Sequence, residues 1–382
     1  MANNFIPTEK STISVLSQFL KIVPKCMVDA AAKLHGTAKG IKRFCEWQRF
    51  VAMLYGQLSG GFSLRSIELG LASYGGELNH IGISKAPPKS SLAYANATRS
   101  PAVFEEVYHQ TFNKITSLIY RRDGENYPHK FLFNQKMYSI DSTIIDLCVK
   151  DFEWAEYRRN KGGIKLTLSY DNNYGLPSFA RVGPAKIADV KYLDDVNPFN
   201  EDCQLDLDKV SQLDKVGLLN PGSIVAIDRG YIDFARFYGW DKKNITFVTR
   251  TKKGMLFDVL DVRNVPAPVG RPSTSDDSSN DDYRARVISD KVVELAGKIS
   301  HKKCPIQLRL VEYEYYDKVE KHWRKFTFLT NNLKFSPVTI AQIYRLRWGL
   351  SEISDNPHYP SNIIIRVNSN NNANRRDPFI FY

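Results

Sequence analysis

Two aspartates stand where carboxylates can do chemistry. Asp141 lies inside the stretch KMYSIDSTIIDLC, where Tyr138 and Ile140 alternate with Ser139 and Asp141. Asp228 follows the apolar run Ser223 to Ile227 and opens the sequence Asp228-Arg229-Gly230-Tyr231. Both patterns predict β-strands, the first with a carboxylate facing out and the second with one at its end. Carboxylates at strand ends of a mixed sheet can converge on one edge. A hard cation such as Mg²⁺ takes oxygen ligands and needs few from the protein. A pair of such ions can activate an attacking oxygen and stabilise a leaving one. Taken singly, most such aspartates are strand-end turn or cap residues.

The elements around them have a consistent order. After Asp141, IKLTLSYDNNYGLPSFARV predicts two strands joined at DNNYG, a hairpin signal. A helical stretch begins near Ala188 and leads to the strand before Asp228. The helix IDFARFYGW and the strand NITFVTR follow. Tight turns between the opening strands make this a mixed α/β layer, not a doubly wound sheet. From Met255 to Asn331 the pattern is mostly β, interrupted by VPAPVGRPSTSDDSSNDD, which reads as an exposed loop. Ser336-Pro337 then opens a helix on which Ile340, Ile343, Tyr344 and Arg347 recur at helical spacing.

The region before residue 125 reads as helices. Ser11, Ser63 and Ser90 are predicted caps, Gly60-Gly61 and Gly75-Gly76 predicted stops, and Pro101 opens a further helix. Two short helices and a glycine-containing connection fit either a helix-turn-helix or an ordinary bundle with a basic face. In the first case Arg65, Lys85, Lys89 and Arg99 supply phosphate contacts and Asn96 reaches a base edge.

Composition limits the partner. The 382 residues suit two or three domains, and 43% hydrophobic with 25% charged residues is globular, excluding a disordered or fibrous chain. A formal net charge of +12 favours a polyanion, with nucleic acid the default. Cys26, Cys45, Cys148, Cys203 and Cys304 are scattered singly, without zinc-finger spacing, which predicts buried free thiols in a reducing compartment. No apolar run has membrane-helix length and the first residues lack signal-peptide features, so the expectation is a soluble, cytoplasmic protein without a membrane partner.

Several unlike motifs then agree in order and spacing: YSIDST at 138–143, the IKLTL hairpin ending in LPSF, AIDRGY at 226–231, FVTR at 247–250 and IYRLRW at 343–348. Together they resemble the bacterial insertion-sequence DDE transposases of the IS-four family, over about residues 5–348. SLRSIELGL, LNHIGI and SSLAYANATRS are similar to the helical domain attached to many of them. The resemblance implies a ribonuclease-H-like mixed sheet interrupted by a β-rich insertion and preceded by an all-helical domain. It makes Asp141 and Asp228 the first two members of a catalytic, metal-binding triad, with Mg²⁺ or Mn²⁺ as cofactor. Arg229 and Tyr231 would position that motif. Tyr344 and Arg347 match the start of the family's Tyr-Arg-Glu-Lys signature and would contact transposon-end DNA. The implied partner is double-stranded DNA, both element ends and target, held by a homo-oligomer at the nucleoid. The implied reaction is nicking at the ends followed by attack of the freed 3′-hydroxyl on target DNA.

The signature breaks after Trp348. Its glutamate falls at Ser351 and its lysine at His358, while Glu352 is one residue out of phase, about 100° around a helix. Pro357 and Pro360 oppose a long helix, and RVNSNNNANRRDPFIFY has no apolar stripe. The expectation is a chain truncated or frameshifted after Trp348, lacking its third acidic residue and impaired in catalysis. The alternative is a non-catalytic DNA-binding remnant that represses intact copies. The predicted organisation is a helical, DNA-binding domain over 1–125, the first part of the core over 126–254, the insertion over 255–332, the start of the last helix over 333–350 and a disordered tail over 351–382.

Overall fold

The computed structural model describes residues 15–38, 44–60, 63–123, 131, 133, 135–147, 156–158, 161–196, 219–265, 285–317 and 322–355. The predicted cap Ser11, the centre of the Pro/Ser/Asp-rich loop, Cys148, Cys203 and the tail beyond Asp355 lie outside the described residues. The chain divides into two compact units, with the boundary at Leu118.

The first unit is helical. It contains α1 (Val15–Ile22), α2 (Lys25–Leu34), α3 (Glu46–Leu58), α4 (Leu64–Ala72), α5 (Lys89–Thr98) and most of α6 (Ala102–Asp123). Apolar residues at helical spacing, among them Leu16, Leu20, Val28, Trp47, Val51, Ile67, Leu71 and Leu92, form its core. Ser63 caps α4 as its sequence predicts: its Oγ accepts the Ser66 N–H at 3.0 Å, and Ser66 Oγ accepts the Ser63 N–H at 2.9 Å. We expect Ser63→Ala to destabilise this unit by about 1 kcal/mol, seen as a lower thermal midpoint in circular dichroism. Ser90 is not a cap, because α5 begins at Lys89 behind Pro88.

The second unit is built on one sheet. Its strands are β1 (Met137–Leu147), β2 (Glu156–Arg158), β3 (Lys161–Asp171), β4 (Leu176–Pro184), β5 (Ile224–Ile227), β6 (Thr246–Arg250), β7 (Phe257–Val262), β8 (Ala285–Leu295), β9 (Leu308–Asp317) and β10 (His322–Thr330). Its helices are α7 (Asp189–Val196), α8 (Phe234–Lys242), α9 (Lys298–Lys303) and α10 (Pro337–Asp355). The order β4-β3-β1-β5-β6 has an antiparallel hairpin side and a parallel side, the mixed α/β arrangement expected of a ribonuclease-H-like core. β2 also pairs with β3.

The β-rich insertion continues this sheet. β10 pairs antiparallel with β6, and β9, β8 and β7 follow outward. Alternation along the central strands fills both faces. Tyr138, Ile140, Val225, Ile227 and Phe247 pack with Phe237 and Trp240 of α8. Met137, Ile224, Ala226 and Val248 face the opposite way and pack with Ile340, Ile343 and Tyr344 of α10. β5 is buried at every position, as a central parallel strand must be.

α10 starts as predicted, with Pro337 as its first residue and Ser336 Oγ accepting the Thr339 N–H at 3.0 Å. It continues past the predicted stop at residue 350 to Asp355, so positions 351 and 352 are helical.

Candidate active site

The parallel ladder brings three chain segments together at one end of the sheet. Ile140 pairs with Ile227, and Ile227 pairs with Thr249. The next residues along the chain, Asp141, Asp228 and Arg250, are therefore neighbours at the C-terminal side of these registers. α10 crosses the sheet beside them and supplies Tyr344 and Arg347.

The polar contacts form one network. Arg347 Nη1 donates to Asp141 Oδ2 at 2.7 Å, and its Nε donates to Tyr344 Oη at 3.2 Å. Tyr344 Oη donates to Asp228 Oδ1 at 3.2 Å, and Arg250 Nη2 donates to the same oxygen at 3.0 Å. The Tyr344 ring lies against both guanidiniums, 5.2 Å from that of Arg347 and 5.8 Å from that of Arg250. The Asp141 and Asp228 side chains keep 28% and 29% of their exposure, so solvent and solutes reach them. The Arg347 side chain keeps only 8%.

The environment separates the two carboxyls. Burial pushes the Asp141 carboxyl above the ordinary carboxylate range, against the opposing effects of Arg347 and the Ser142 N–H. Burial also acts on Asp228, but the Arg250 hydrogen bond and the charges of Arg347 and Arg250 outweigh it, and the group is held below that range. Burial raises the Tyr344 hydroxyl, which keeps it a neutral donor. Opposite perturbation of adjacent carboxyls in an open site marks a candidate functional site.

The donor set suits Mg²⁺ or Mn²⁺, because both ions take carboxylate oxygens and complete their shells with water and substrate phosphate. It offers two carboxylates. Among the described residues no group of three or more His, Cys, Asp or Glu side chains is placed to share an ion.

Arg229 is exposed at the start of the turn 229–231, and its backbone N–H supports Asp228. Arg250 was absent from the predicted site, although it ends the FVTR motif on the strand next to that of Asp228. Its position after an apolar strand run was the available signal.

The helical unit departs from its predicted DNA-reading role at two residues. Asn96 is fully buried and its Oδ1 accepts from Arg49 Nε at 2.8 Å, so it presents no edge to a base. Arg99 is committed to Glu46 at 3.0 Å and to the Phe44 carbonyl at 2.7 Å. Both saturate a buried cluster around Glu46 and Arg49, a need that residue types do not reveal. α4 and α5 are also separated by residues 73–88, which include a 3₁₀ segment (Gly75–Ile81), too long a connection for a helix-turn-helix. Arg65, Lys85 and Lys89 are exposed.

A transposase DDE domain matches residues 134–350, and a domain of unknown function matches residues 11–84. The first match covers more than half of the chain and contains both aspartates, Arg250, Tyr344 and Arg347. The chain belongs to the DDE transposase family. A protein of Sinorhizobium fredii (strain NBRC 101917 / NGR234) that carries the transposase name y4zB is 26% identical over 265 residues. That alignment takes in 69% of this chain and only 60% of the relative. A cryo-EM structure of the piggyBac transposase synaptic complex with hairpin DNA aligns with a TM-score of 0.35 at 10% identity, covering 88% of this chain and 67% of that one. That likeness is too distant to bear on fold or function.

Among the described residues no helix is long and apolar enough to cross a membrane.

Proposed function

We propose that this chain binds the ends of an insertion sequence of the IS-four type as double-stranded DNA, and that Asp141 and Asp228 hold Mg²⁺ or Mn²⁺ beside the bound phosphate. The observation that carries this reading is the network of Asp141, Asp228, Arg250, Tyr344 and Arg347 at one sheet end. When bound, the ion supplies Lewis-acid activation and charge neutralisation for phosphodiester cleavage and strand transfer. Arg347 and Arg250 hold guanidinium donors that suit a phosphate as well as a carboxylate. Tyr344 offers a neutral hydroxyl and a ring face at the same place. Arg229, Arg65 and Lys89 are exposed cations available to the DNA backbone, and the +12 charge makes that binding salt-dependent. Pairing of two ends calls for a homo-oligomer on DNA.

Catalysis is impaired in this reading. Position 351, one turn after Arg347 on α10, is serine, and Glu352 is a weak candidate for a third ligand. In-line displacement then loses part of its electrostatic stabilisation. The transposase match ends at residue 350, which supports a frameshift or gene fusion near that point. Resequencing the locus tests this: an intact frame with the same tail in independent copies would sink it. The alternative function, a repressor that occupies ends without cutting, is favoured by the same absence, among the described residues, of a third carboxylate placed to share the ion.

A gel-shift with the inverted repeats flanking the gene, paired with a nicking assay in Mg²⁺ or Mn²⁺, separates these readings. We expect a salt-sensitive shift with little or no nicking. Robust nicking would refute impairment, and failure to bind the repeats would remove both readings.

A further inference from the structure

Asp189 lies behind the paired carboxylates and belongs to neither. It is the first residue of α7. Its Oδ1 accepts from Lys165 Nζ at 2.6 Å and from Ser142 Oγ at 3.0 Å. Lys165 projects from β3, is nearly buried, and also donates to the Ile187 carbonyl. Ser142 follows Asp141 on β1, and its N–H donates to Asp141 Oδ1 at 3.0 Å. The other Asp189 oxygen rests against the turn that carries Asp228: a Cβ on Gly230 would lie 2.9 Å from Oδ2. One carboxylate thus touches the strand of the first aspartate and the turn of the second, while a buried lysine fixes it from β3. Gly230 admits this approach because it has no side chain.

We infer that Asp189, anchored by Lys165, is a positioning residue that sets the separation and orientation of Asp141 and Asp228 for a shared divalent cation. This rests on the metal-binding reading above and deepens it. Asp189 is not itself assigned as a ligand, since Lys165 and Ser142 engage its Oδ1. Outer partners of ligating carboxylates fix their orientation, and their loss weakens metal affinity about 10–100-fold.

The test uses the full chain and Mn²⁺ alone, with bound ion followed by electron paramagnetic resonance. Asp189→Ala by itself strands a buried ammonium, so the informative variant is Lys165→Met/Asp189→Ala, which removes both charges. The expected result is an unchanged circular dichroism melt with Mn²⁺ affinity reduced roughly 10–100-fold. Parental affinity in the folded double variant would overturn the inference. If the double variant does not fold, Gly230→Ala decides, because it keeps every charge and only pushes Asp189 away. Weaker Mn²⁺ binding by Gly230→Ala supports the inference, and unchanged affinity overturns it. A parent chain whose Mn²⁺ binding is absent, or insensitive to Asp141→Asn and Asp228→Asn, overturns the metal reading itself and this inference with it.

Discussion

Arg309→Met is expected to lower the stability of the second unit by about 3–5 kcal/mol, the usual consequence of stranding one partner of a buried ion pair. Arg309 sits on β9 and its side chain is only 2% exposed. Nε and Nη2 donate to Asp290 Oδ1 and Oδ2 of β8 at 2.7 and 2.6 Å, a bidentate geometry that lysine cannot reproduce. Nη1 donates to the carbonyls of Asn332 and Phe335. Those residues form the turn that launches α10, so the insertion holds the start of the helix that carries Tyr344 and Arg347. A neighbouring clamp acts on the same turn: Arg263 Nη1 donates to the Leu333 carbonyl at 2.6 Å. Urea titration followed by circular dichroism measures the loss. Asp290→Leu/Arg309→Met should recover much of it, because no uncompensated charge then remains. A midpoint unchanged in Arg309→Met would show that the pair does not hold these elements together.

The second large effect concerns the metal. Asp141→Asn/Asp228→Asn is expected to abolish saturable Mn²⁺ binding, a greater loss than the roughly 10–100-fold that follows from disturbing an outer partner. Asparagine keeps the shape and an acceptor oxygen for Arg347, Arg250 and Tyr344, but it removes the negative charge that a hard cation requires. DNA affinity should be equal or tighter, because the same change removes two negative charges facing the phosphates. Titration of Mn²⁺ followed by electron paramagnetic resonance, with a gel-shift at constant ionic strength, reads both effects. Retained Mn²⁺ affinity would place the ion elsewhere. Lost DNA binding would mean that the carboxylates hold the DNA-contacting side chains in place.

Much of the core is local and therefore visible in the chain. Period-two alternation marks β1, and the DNNYG turn fixes the β3–β4 hairpin through Asp171, whose Oδ1 accepts the Asn173 and Tyr174 N–H groups. Ser63 and Ser336 mark helix starts because capping involves residues three apart. The same locality explains the errors. Asn96 and Arg99 carry the residue types of a DNA reader, yet they serve a buried polar cluster whose other members, Glu46 and Arg49, lie on another helix. The boundary expected at residue 350 follows the end of the motif match, and the helix runs on to Asp355.

The sequence by itself determined most of the strands and helices, that Asp141 lies in a strand and Asp228 directly follows one, and that Tyr344 and Arg347 share a helix. These are properties of spacing and turn chemistry within a short stretch of chain. Only the tertiary structure decided that Arg250 belongs to the site, since parallel pairing of β5 and β6 sets it beside Asp228. Only the tertiary structure joined the insertion to the core sheet through β6 and β10 and brought Asp189 against Gly230. Contacts of that kind depend on how distant segments register across the sheet, and no local pattern encodes them.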